Sequence, residues 1–359
     1  MRVAIDGRAF ESPAGGVRRY VGELFGAMAA ACPDVELIAA GASPDARLPP
    51  GVHRAPAAAS LPTNLGWASS GLPLSARAVR ADVFHAPAYT APLWGVPPIV
   101  LTIHDVSYAR RPEFYPHPID PVRRAFYRAS ARRAERVVTD SAFSRDEIVA
   151  AYGIDVNRID VVPLAASAAF APADVARERF VLHVGDLHAR RNLGMLLEVV
   201  LELRTDARWP ALKLVLAGVD RGVLARLQET AAARGAAAAL EYVGQPDDAA
   251  LASLYQRAAV FAYPSRYEGF GLPVLEAMAC GAPVVATSAA SVPEVAGAAA
   301  ISADPDDARA WRDAIGAVLA SSERAQMLSE AGRLRAAAFS WRRTAAETVR
   351  AYRRVGERR

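Results

Sequence analysis

Short apolar runs alternate with helical segments along nearly the whole chain. In the second half, the runs typical of buried strands occupy residues 180–185, 213–218, 240–244, 259–263 and 284–287. The first half has the same pattern, from a run at 2–6 to one at 159–164. Alternating strands and helices favour parallel sheets covered by helices on both faces. The sequence therefore predicts an α/β protein with doubly wound sheets.

The length of 359 residues fits two domains better than one. The hydrophobic fraction of 52% is ample for two cores. A run of small residues ending in Pro172 spans 165–172 and marks the break between the halves.

The composition indicates the cellular compartment of the protein and the kinds of partner that it binds. The two cysteines, Cys32 and Cys280, form no disulfide framework, and the N-terminus lacks the apolar region of a signal peptide, so we expect a cytoplasmic protein. The longest uncharged stretch, 55–76, contains three prolines and is not expected to span a bilayer. The net charge of +4 favours phosphates or an anionic membrane surface, or simply reflects an arginine-rich proteome. No nucleic-acid-binding signature is recognisable, so no nucleic-acid partner is expected.

The segment 265–285 carries the most chemical information. A loop with Glu268, Phe270 and Gly271 runs into a predicted helix, with Pro273 at its first position and Glu276 inside it. A helix N-terminus attracts anions, glycines admit a ligand close to the backbone, and carboxylates accept hydrogen bonds from hydroxyls. Together they describe a site for a nucleotide-sugar. An ordinary strand–loop–helix unit with two surface glutamates explains the spacing equally well.

The same segment resembles the E-x7-E signature of the retaining glycosyltransferases of family 4. Glu268 and Glu276 fall on its two acidic positions, within the intact run EGFGLPVLEAMACGAPVV. The resemblance implies the GT-B architecture, in which two Rossmann-like domains face each other across a cleft. It implies an acceptor-side domain over 1–168, a donor-binding domain over 169–340, and a C-terminal segment over 341–359 whose helix crosses back to the first domain.

Several donor contacts follow from this resemblance. Glu268 is expected to hold the donor sugar as a catalytic residue, and Glu276 to take the ribose hydroxyls. The backbone amides of Phe270, Gly271 and Leu272 are expected to stabilise the leaving diphosphate. The nucleotide base is expected at the backbone of Val243 and Gly244.

A basic turn follows the first strand of the second domain. Its two arginines, Arg190 and Arg191, offer several donors each to a diphosphate, although a solvated basic turn is the simpler interpretation. Family members often carry lysine where Arg191 stands, and some have an arginine where this chain has Asp186. Arg191 is therefore expected to be catalytic and Arg190 to bind the donor.

Two features of the first domain also suggest a site. Gly15 and Gly16 follow the first strand and open a helix, which brings backbone amides to the sheet edge, as any strand-to-helix turn does. They resemble the glycine loop of family 4, which lies near the donor phosphates. His104 ends a strand, and with Asp105 it resembles the family's His-Asp pair, in which the histidine contacts the transferred sugar or the phosphate.

Three local patterns have simpler interpretations. Asp304-Pro305-Asp306 has the form of a metal-binding D-x-D motif, but it precedes a helix and is assigned to helix capping; no metal site is predicted. Ser144 and Glu147 have the spacing of a capping box at a helix start. The arginines of 121–133 indicate a solvated helix face, or else a membrane-surface helix that reaches a lipid-linked acceptor.

These observations predict a retaining, metal-independent hexosyltransferase that acts on a saccharide or lipid-linked acceptor. The first domain resembles bacterial mannosyl- and rhamnosyltransferases of surface polysaccharide synthesis, which favours GDP-mannose as the co-substrate, with no other cofactor. We expect a cytoplasmic enzyme, with peripheral contact to the anionic inner face of the membrane as an added interpretation. The alternatives are another GT-B enzyme, such as an epimerase or a phosphorylase, and a non-catalytic nucleotide-sugar-binding protein.

Overall fold

The computed structural model describes residues 1–57, 66–115 and 120–356. The chain divides into two compact units. The first comprises Met1–Pro112, His117–Leu164 and Ser340–Arg359, and the second comprises Glu113–Pro116 and Ala165–Phe339.

The first unit is built on a parallel sheet of seven strands within the described ranges. Its order is β3-β2-β1-β4-β5-β6-β7. The strands are β1 (Arg2–Asp6), β2 (Glu36–Ala40), β3 (Val52–Ala55), β4 (Val83–Ala86), β5 (Ile99–Thr102), β6 (Arg136–Thr139) and β7 (Ile159–Val161). Strands β4, β5 and β6 are buried along their whole length, as central strands covered on both faces must be.

The second unit repeats the design with six strands among its described residues. Its order is β10-β9-β8-β11-β12-β13, again all parallel. The strands are β8 (Glu178–Val184), β9 (Lys213–Ala217), β10 (Leu240–Tyr242), β11 (Ala258–Tyr263), β12 (Val284–Thr287) and β13 (Ile301–Ala303). The strand order reverses between β8 and β11, as it does between β1 and β4 in the first unit. Such reversals open a crevice at the carboxyl ends of the strands, where α/β proteins bind ligands.

Helices connect the strands in both units. Those of the first unit are α1 (Gly15–Ala31), α2 (Leu72–Ala78), α3 (Ser107–Arg110), α4 (Pro121–Arg133) and α5 (Ala142–Tyr152). Those of the second are α6 (Leu193–Leu203), α7 (Leu224–Ala233), α8 (Asp248–Arg257), α9 (Leu272–Ala279), α10 (Val292–Ala296), α11 (Ala308–Ala320) and α12 (Ser322–Ala337). No helix within the described ranges is long and apolar enough to cross a bilayer.

The C-terminal helix α13 (Trp341–Gly356) belongs to the first unit and packs against α1. Its Tyr352 hydroxyl lies 2.5 Å from Nδ1 of His85, and the Nε2 of His85 lies 2.8 Å from the hydroxyl of Thr102. Burial lowers the pKa of His85 to about 3, so the ring is neutral at physiological pH. This polar link joins α13 to the middle of the sheet.

The structure confirms the predicted α/β class with two parallel sheets and corrects several local predictions. The short strands β3 and β13 were not predicted, because edge strands carry weaker apolar runs than central ones. The predicted capping box at Ser144 is wrong, since helix α5 is capped by Ser141, whose Oγ accepts from the Ser144 amide at 3.0 Å. The predicted capping role of Asp304-Pro305-Asp306 is also wrong, because Asp307 caps α11.

Candidate functional site

Three glycines meet at the carboxyl edge of the second sheet. Gly185, Gly218 and Gly244 follow β8, β9 and β10, and each has a positive φ. The Gly218 amide donates to the Gly244 carbonyl at 2.7 Å, and a side chain at Gly218 would overlap the Gly185 carbonyl oxygen. The predicted base-binding residues Val243 and Gly244 therefore lie on this edge, with the Val243 amide bonded to the Leu216 carbonyl at 3.0 Å.

The turn containing Arg190 and Arg191 lies above the same edge. It is a single helical turn after β8, and Asn192 ends it in the left-handed conformation. The Arg190 carbonyl accepts a 2.8 Å hydrogen bond from the Arg266 amide. That bond ties the loop after β8 to the loop after β11, which carries Glu268.

Arg191 and Glu268 form a buried ion pair. Nη1 of Arg191 donates to Oε1 of Glu268 and to the hydroxyl of Tyr263. The Ser265 hydroxyl donates to the same carboxylate oxygen at 2.5 Å. The guanidinium also lies 5.1 Å from the centre of the Tyr263 ring, within the range of a cation–π contact. The fold thus brings together the two predicted catalytic residues of this unit.

One donor of the Arg191 guanidinium is unpaired among the described residues. Its Nε is buried and has no hydrogen-bond partner within the described ranges. It rests on Gly185, where an added Cβ would lie 3.2 Å from Cζ. An unpaired buried N–H is costly, so this donor would be stabilised by an acceptor that reaches it.

Glu276 has different surroundings from Glu268. It is the fifth residue of α9, its side chain is buried, and its Oε2 accepts a 3.1 Å hydrogen bond from Tyr255. Burial and the neighbouring carboxylate raise the pKa of Tyr255 well above its usual value, so its hydroxyl remains a donor. Tyr255 therefore orients the carboxylate.

The loop before α9 offers backbone rather than side chains. Gly271 caps the helix with a φ of +102°, and Pro273 lies in the first turn, where a missing N–H is tolerated. The Phe270 ring is turned to the interior, edge-on to Phe339 at 6.0 Å. Of the three residues predicted here, Phe270 has a buried side chain, Gly271 is the N-cap of α9 and Leu272 is its first residue.

In the first unit, Gly15 and Gly16 are exposed at the start of α1. The N-cap residue Ala14 makes no side-chain capping bond, and a Cβ at Gly16 would meet nothing within 4 Å. This helix end is exposed, and the role of its amides near the donor phosphates stays a prediction.

His104 lies at the carboxyl end of β5, next to a carboxylate that the sequence analysis missed. Its Nδ1 is 2.8 Å from Oδ2 of Asp140, which follows β6 and is buried. Burial opposes the charge on His104, but Asp140 and, to a lesser degree, Asp105 outweigh it, and the net result is a raised pKa. The ring of Tyr20 packs edge-on against the imidazole at 4.6 Å.

Comparison with known proteins assigns the family. The model of the family described as Glycosyl transferases group 1 matches residues 169–335, and that of Glycosyltransferase Family 4 matches residues 14–168. The chain is 31% identical to O-antigen chain mannosyltransferase B of Escherichia coli over 286 residues, which are 75% of this chain and 74% of that protein. The chain belongs to glycosyltransferase family 4. This glycosyltransferase accordingly transfers a sugar from a nucleotide-sugar donor.

Other relatives and solved structures agree with the family and the fold. A D-inositol 3-phosphate glycosyltransferase of Rhodococcus opacus is 28% identical over 281 residues, which are 72% of this glycosyltransferase and 62% of that protein. Sucrose-phosphate synthase from Thermosynechococcus elongatus superposes with a TM-score of 0.80 at 22% identity, over 100% of this chain and 99% of that one. The structure of Anabaena HepE in complex with UDP and glucose superposes with a TM-score of 0.73 at 16% identity. The match covers 97% of this chain and 98% of that one. The glycosyltransferase has the GT-B architecture.

Sequence reasoning about this glycosyltransferase missed the partners of its predicted residues. Tyr263 and Asp140 each lie where a buried strand ends, and this position could have identified both as candidate site residues from the sequence. Tyr255 lies on a helix face with no local signal, so only the fold reveals its bond to Glu276. Among the described residues, no group of three or more His, Cys, Asp and Glu side chains is arranged to hold a metal ion.

Proposed function

We propose that this family 4 enzyme moves mannose from GDP-mannose to a hydroxyl of a saccharide or lipid-linked saccharide, with retention of the anomeric configuration. The similarity to an O-antigen chain mannosyltransferase of E. coli supports the choice of sugar. The nucleotide-sugar is a co-substrate, and the proposal requires no cofactor and no metal.

One observation carries this proposal: the buried pair of Arg191 and Glu268 at the switch point of the second sheet. Glu268 has a second carboxylate oxygen to accept a sugar hydroxyl, and Arg191 has its unpaired Nε to donate to a phosphate oxygen. A cation and an anion fixed side by side match a donor whose sugar hydroxyls lie next to its diphosphate.

The remaining predicted residues complete a donor site in this proposal. Glu276, oriented by Tyr255, takes the ribose hydroxyls. The amides of 270–272 and the side chain of Arg190 face the diphosphate, and the backbone of Val243 and Gly244 holds the base. In the first unit, His104 contacts the transferred sugar or its phosphate, and the amides of Gly15 and Gly16 meet phosphate oxygens.

The proposed reaction is a same-face displacement. The bond between the anomeric carbon and the diphosphate oxygen breaks, and the acceptor oxygen bonds to the same face of that carbon. The acceptor proton passes to the departing diphosphate, so the nucleoside diphosphate leaves with its charge held by Arg191 and backbone amides. No protein nucleophile takes part.

The basic helix α4 supports a proposed peripheral contact with the cytoplasmic face of the membrane. Arg123, Arg124 and Arg128 are exposed on it, and so is Val122 at 61% of its full surface. Exposed arginines and an apolar side chain at one helix suit an anionic lipid surface. A lipid-linked acceptor would be presented there.

The proposal is tested by incubating the enzyme with GDP-mannose and mannose-terminated oligosaccharides, and by following the new anomeric proton by NMR. We expect a product with the anomeric configuration of the donor. Parallel reactions with UDP-glucose as donor and with D-inositol 3-phosphate as acceptor test the specificities suggested by the other proteins. An inverted product, or transfer from UDP-glucose alone, would contradict the proposal.

A further inference from the structure

The loop after β5 is hydrogen-bonded to strand β6 and to helix α5 at three points around His104. The Ile103 amide donates to the Val138 carbonyl at 2.9 Å, and the Thr139 hydroxyl donates to the Ile103 carbonyl at 2.7 Å. The Ser144 hydroxyl donates to the carbonyl of His104 itself at 3.0 Å. The backbone on both sides of the imidazole is therefore fixed relative to β6.

Asp140 meets the imidazole within this frame. Its side chain is 3% exposed, and its Oδ2 lies 2.8 Å from Nδ1 of His104. Its other oxygen, Oδ1, is buried without a hydrogen-bond partner in the described ranges. A buried carboxylate with one free oxygen is costly unless it balances a nearby positive charge. The imidazole is the group in contact with it.

The opposite edge of the ring is different. Nε2 of His104 is buried and has no hydrogen-bond partner within the described ranges, although the Pro87 carbonyl lies close enough to favour a charged ring. The Tyr20 ring packs edge-on against the imidazole at 4.6 Å, and the Tyr20 hydroxyl lies 2.9 Å from that of Thr102. The ring thus has a fixed position, with Nδ1 paired to Asp140 and with Nε2 buried and unpaired within the described ranges.

We propose that Asp140 is a positioning residue that holds His104 as a cation, with Nδ1–H given to Asp140 and Nε2–H kept for an anionic oxygen of the nucleotide-sugar. This inference rests on the role proposed above for His104. No proton changes place, because the imidazolium only donates a hydrogen bond, and the negative charge that it meets develops on the departing diphosphate.

The groups around His104 determine the direction in which its pKa is shifted. Asp140 from the loop after β6 and Asp105 from the same loop as His104 favour the cation. Tyr20 from α1 stays neutral, because burial raises its pKa. His85 from β4 stays neutral too, because burial lowers its pKa to about 3. Tyr89, from the loop after β4, places its ring edge-on at 6.2 Å. Asp140 is therefore the chief support of the charge.

The first test needs no substrate. Histidine labelled with ¹³C at Cε1 is titrated by NMR in the wild type, in Asp140→Asn and in Asp160→Asn, and His104→Gln assigns the signal. Asp160 is the control, because its side chain is only 11% exposed and is paired with Arg136 on the neighbouring strand and with Arg354. We expect the His104 midpoint to move to lower pH in Asp140→Asn alone. An unchanged midpoint in Asp140→Asn, or an equal shift in Asp160→Asn, would overturn the proposal.

The second test is kinetic and uses GDP-mannose. With Asp140→Asn, the alkaline limb of kcat/KM should move to lower pH, with a loss of roughly tenfold to a hundredfold at pH 8 that shrinks as the pH falls. A purely structural role would lower kcat/KM equally at every pH, and that result overturns the proposal. Inactivity of the wild type with GDP-mannose contradicts the proposed function instead, and the NMR titration then decides on Asp140 alone.

Discussion

Nη1 of Arg191 donates to Oε1 of Glu268, and both side chains are 8% exposed, so this ion pair lies almost entirely out of water. Breaking one partner of such a pair leaves an uncompensated buried charge. We predict that Glu268→Gln lowers the free energy of unfolding by about 3 to 5 kcal/mol and also lowers kcat/KM. Urea denaturation and initial rates measure the two effects.

An exposed ion pair serves as the matched control for the buried one. Lys213 and Glu241 form an ion pair at 3.0 Å with side chains 50% and 46% exposed. Glu241→Gln should change the free energy of unfolding by less than about 1 kcal/mol and leave the rate unchanged. If Glu268→Gln changes the free energy of unfolding and kcat/KM as little as this control does, the buried pair is important neither for stability nor for catalysis.

The guanidinium of Arg191 packs against Gly185, and we predict that this contact positions it. The φ of Gly185 is +136°, and a Cβ there would lie 3.2 Å from Cζ of Arg191. Gly185→Ala should therefore displace the guanidinium and reduce kcat/KM by at least about tenfold, besides costing backbone strain.

Gly222 separates the two effects, because its φ is +88° but a Cβ there meets nothing within 4 Å. Gly222→Ala should lose stability through strain alone and keep its activity per folded molecule. Equal loss of specific activity in both variants would show that contact with Arg191 is irrelevant.

The elements of the fold that follow from local pattern were predicted well. Strand β12 has the predicted bounds, 284–287, because its apolar run is bordered by Pro283 and by the polar Thr287 and Ser288. The pairing of His104 with Asp140 was not predicted, because 36 residues separate them and only the parallel register of β5 and β6 brings them together. The capping error at α5 arose because Ser141 and Ser144 both suit an N-cap, and only backbone geometry distinguishes them.

Buried neutral histidines predict a loss of stability in acid. Burial lowers the pKa of His85 and of His183 to about 3 in the folded chain, whereas both titrate near the usual value of 6.5 when unfolded. The unfolded state therefore binds more protons between these values, and stability falls as the pH drops from about 6.5 towards 3, by up to about 1.4 kcal/mol per histidine and pH unit.

Thermal unfolding of wild type and His85→Gln at pH 7 and pH 5 measures this effect. The variant should lose less stability than the wild type between the two pH values. The exposed His53 provides the control, since His53→Gln should keep the wild-type dependence. Equal pH dependence in all three proteins would refute the assignment to His85.

Activity is predicted to survive excess EDTA. The groups proposed to balance the negative charge of the diphosphate are Arg190, Arg191 and backbone amides. They provide positive charge and hydrogen-bond donors without a metal ion. Initial rates with GDP-mannose should be the same within error in about 5 mM EDTA, which removes divalent ions, and in about 5 mM MgCl₂, which is enough to fill even a weak divalent-metal site. Complete loss in EDTA with recovery in Mg²⁺ or Mn²⁺ would sink this prediction.

The central claim is that Glu276 and the Arg191–Glu268 pair bind a nucleotide-diphospho-sugar. Isothermal titration calorimetry with GDP-mannose tests it most directly, on the wild type, on Glu276→Ala and on the exposed control Glu241→Ala. A charge-assisted hydrogen bond of about 2 to 3 kcal/mol predicts that Glu276→Ala weakens binding by roughly 30-fold to 140-fold. The control should bind as the wild type does. Saturable binding that Glu276→Ala leaves unchanged, or no binding of GDP-mannose by the wild type, would contradict this account.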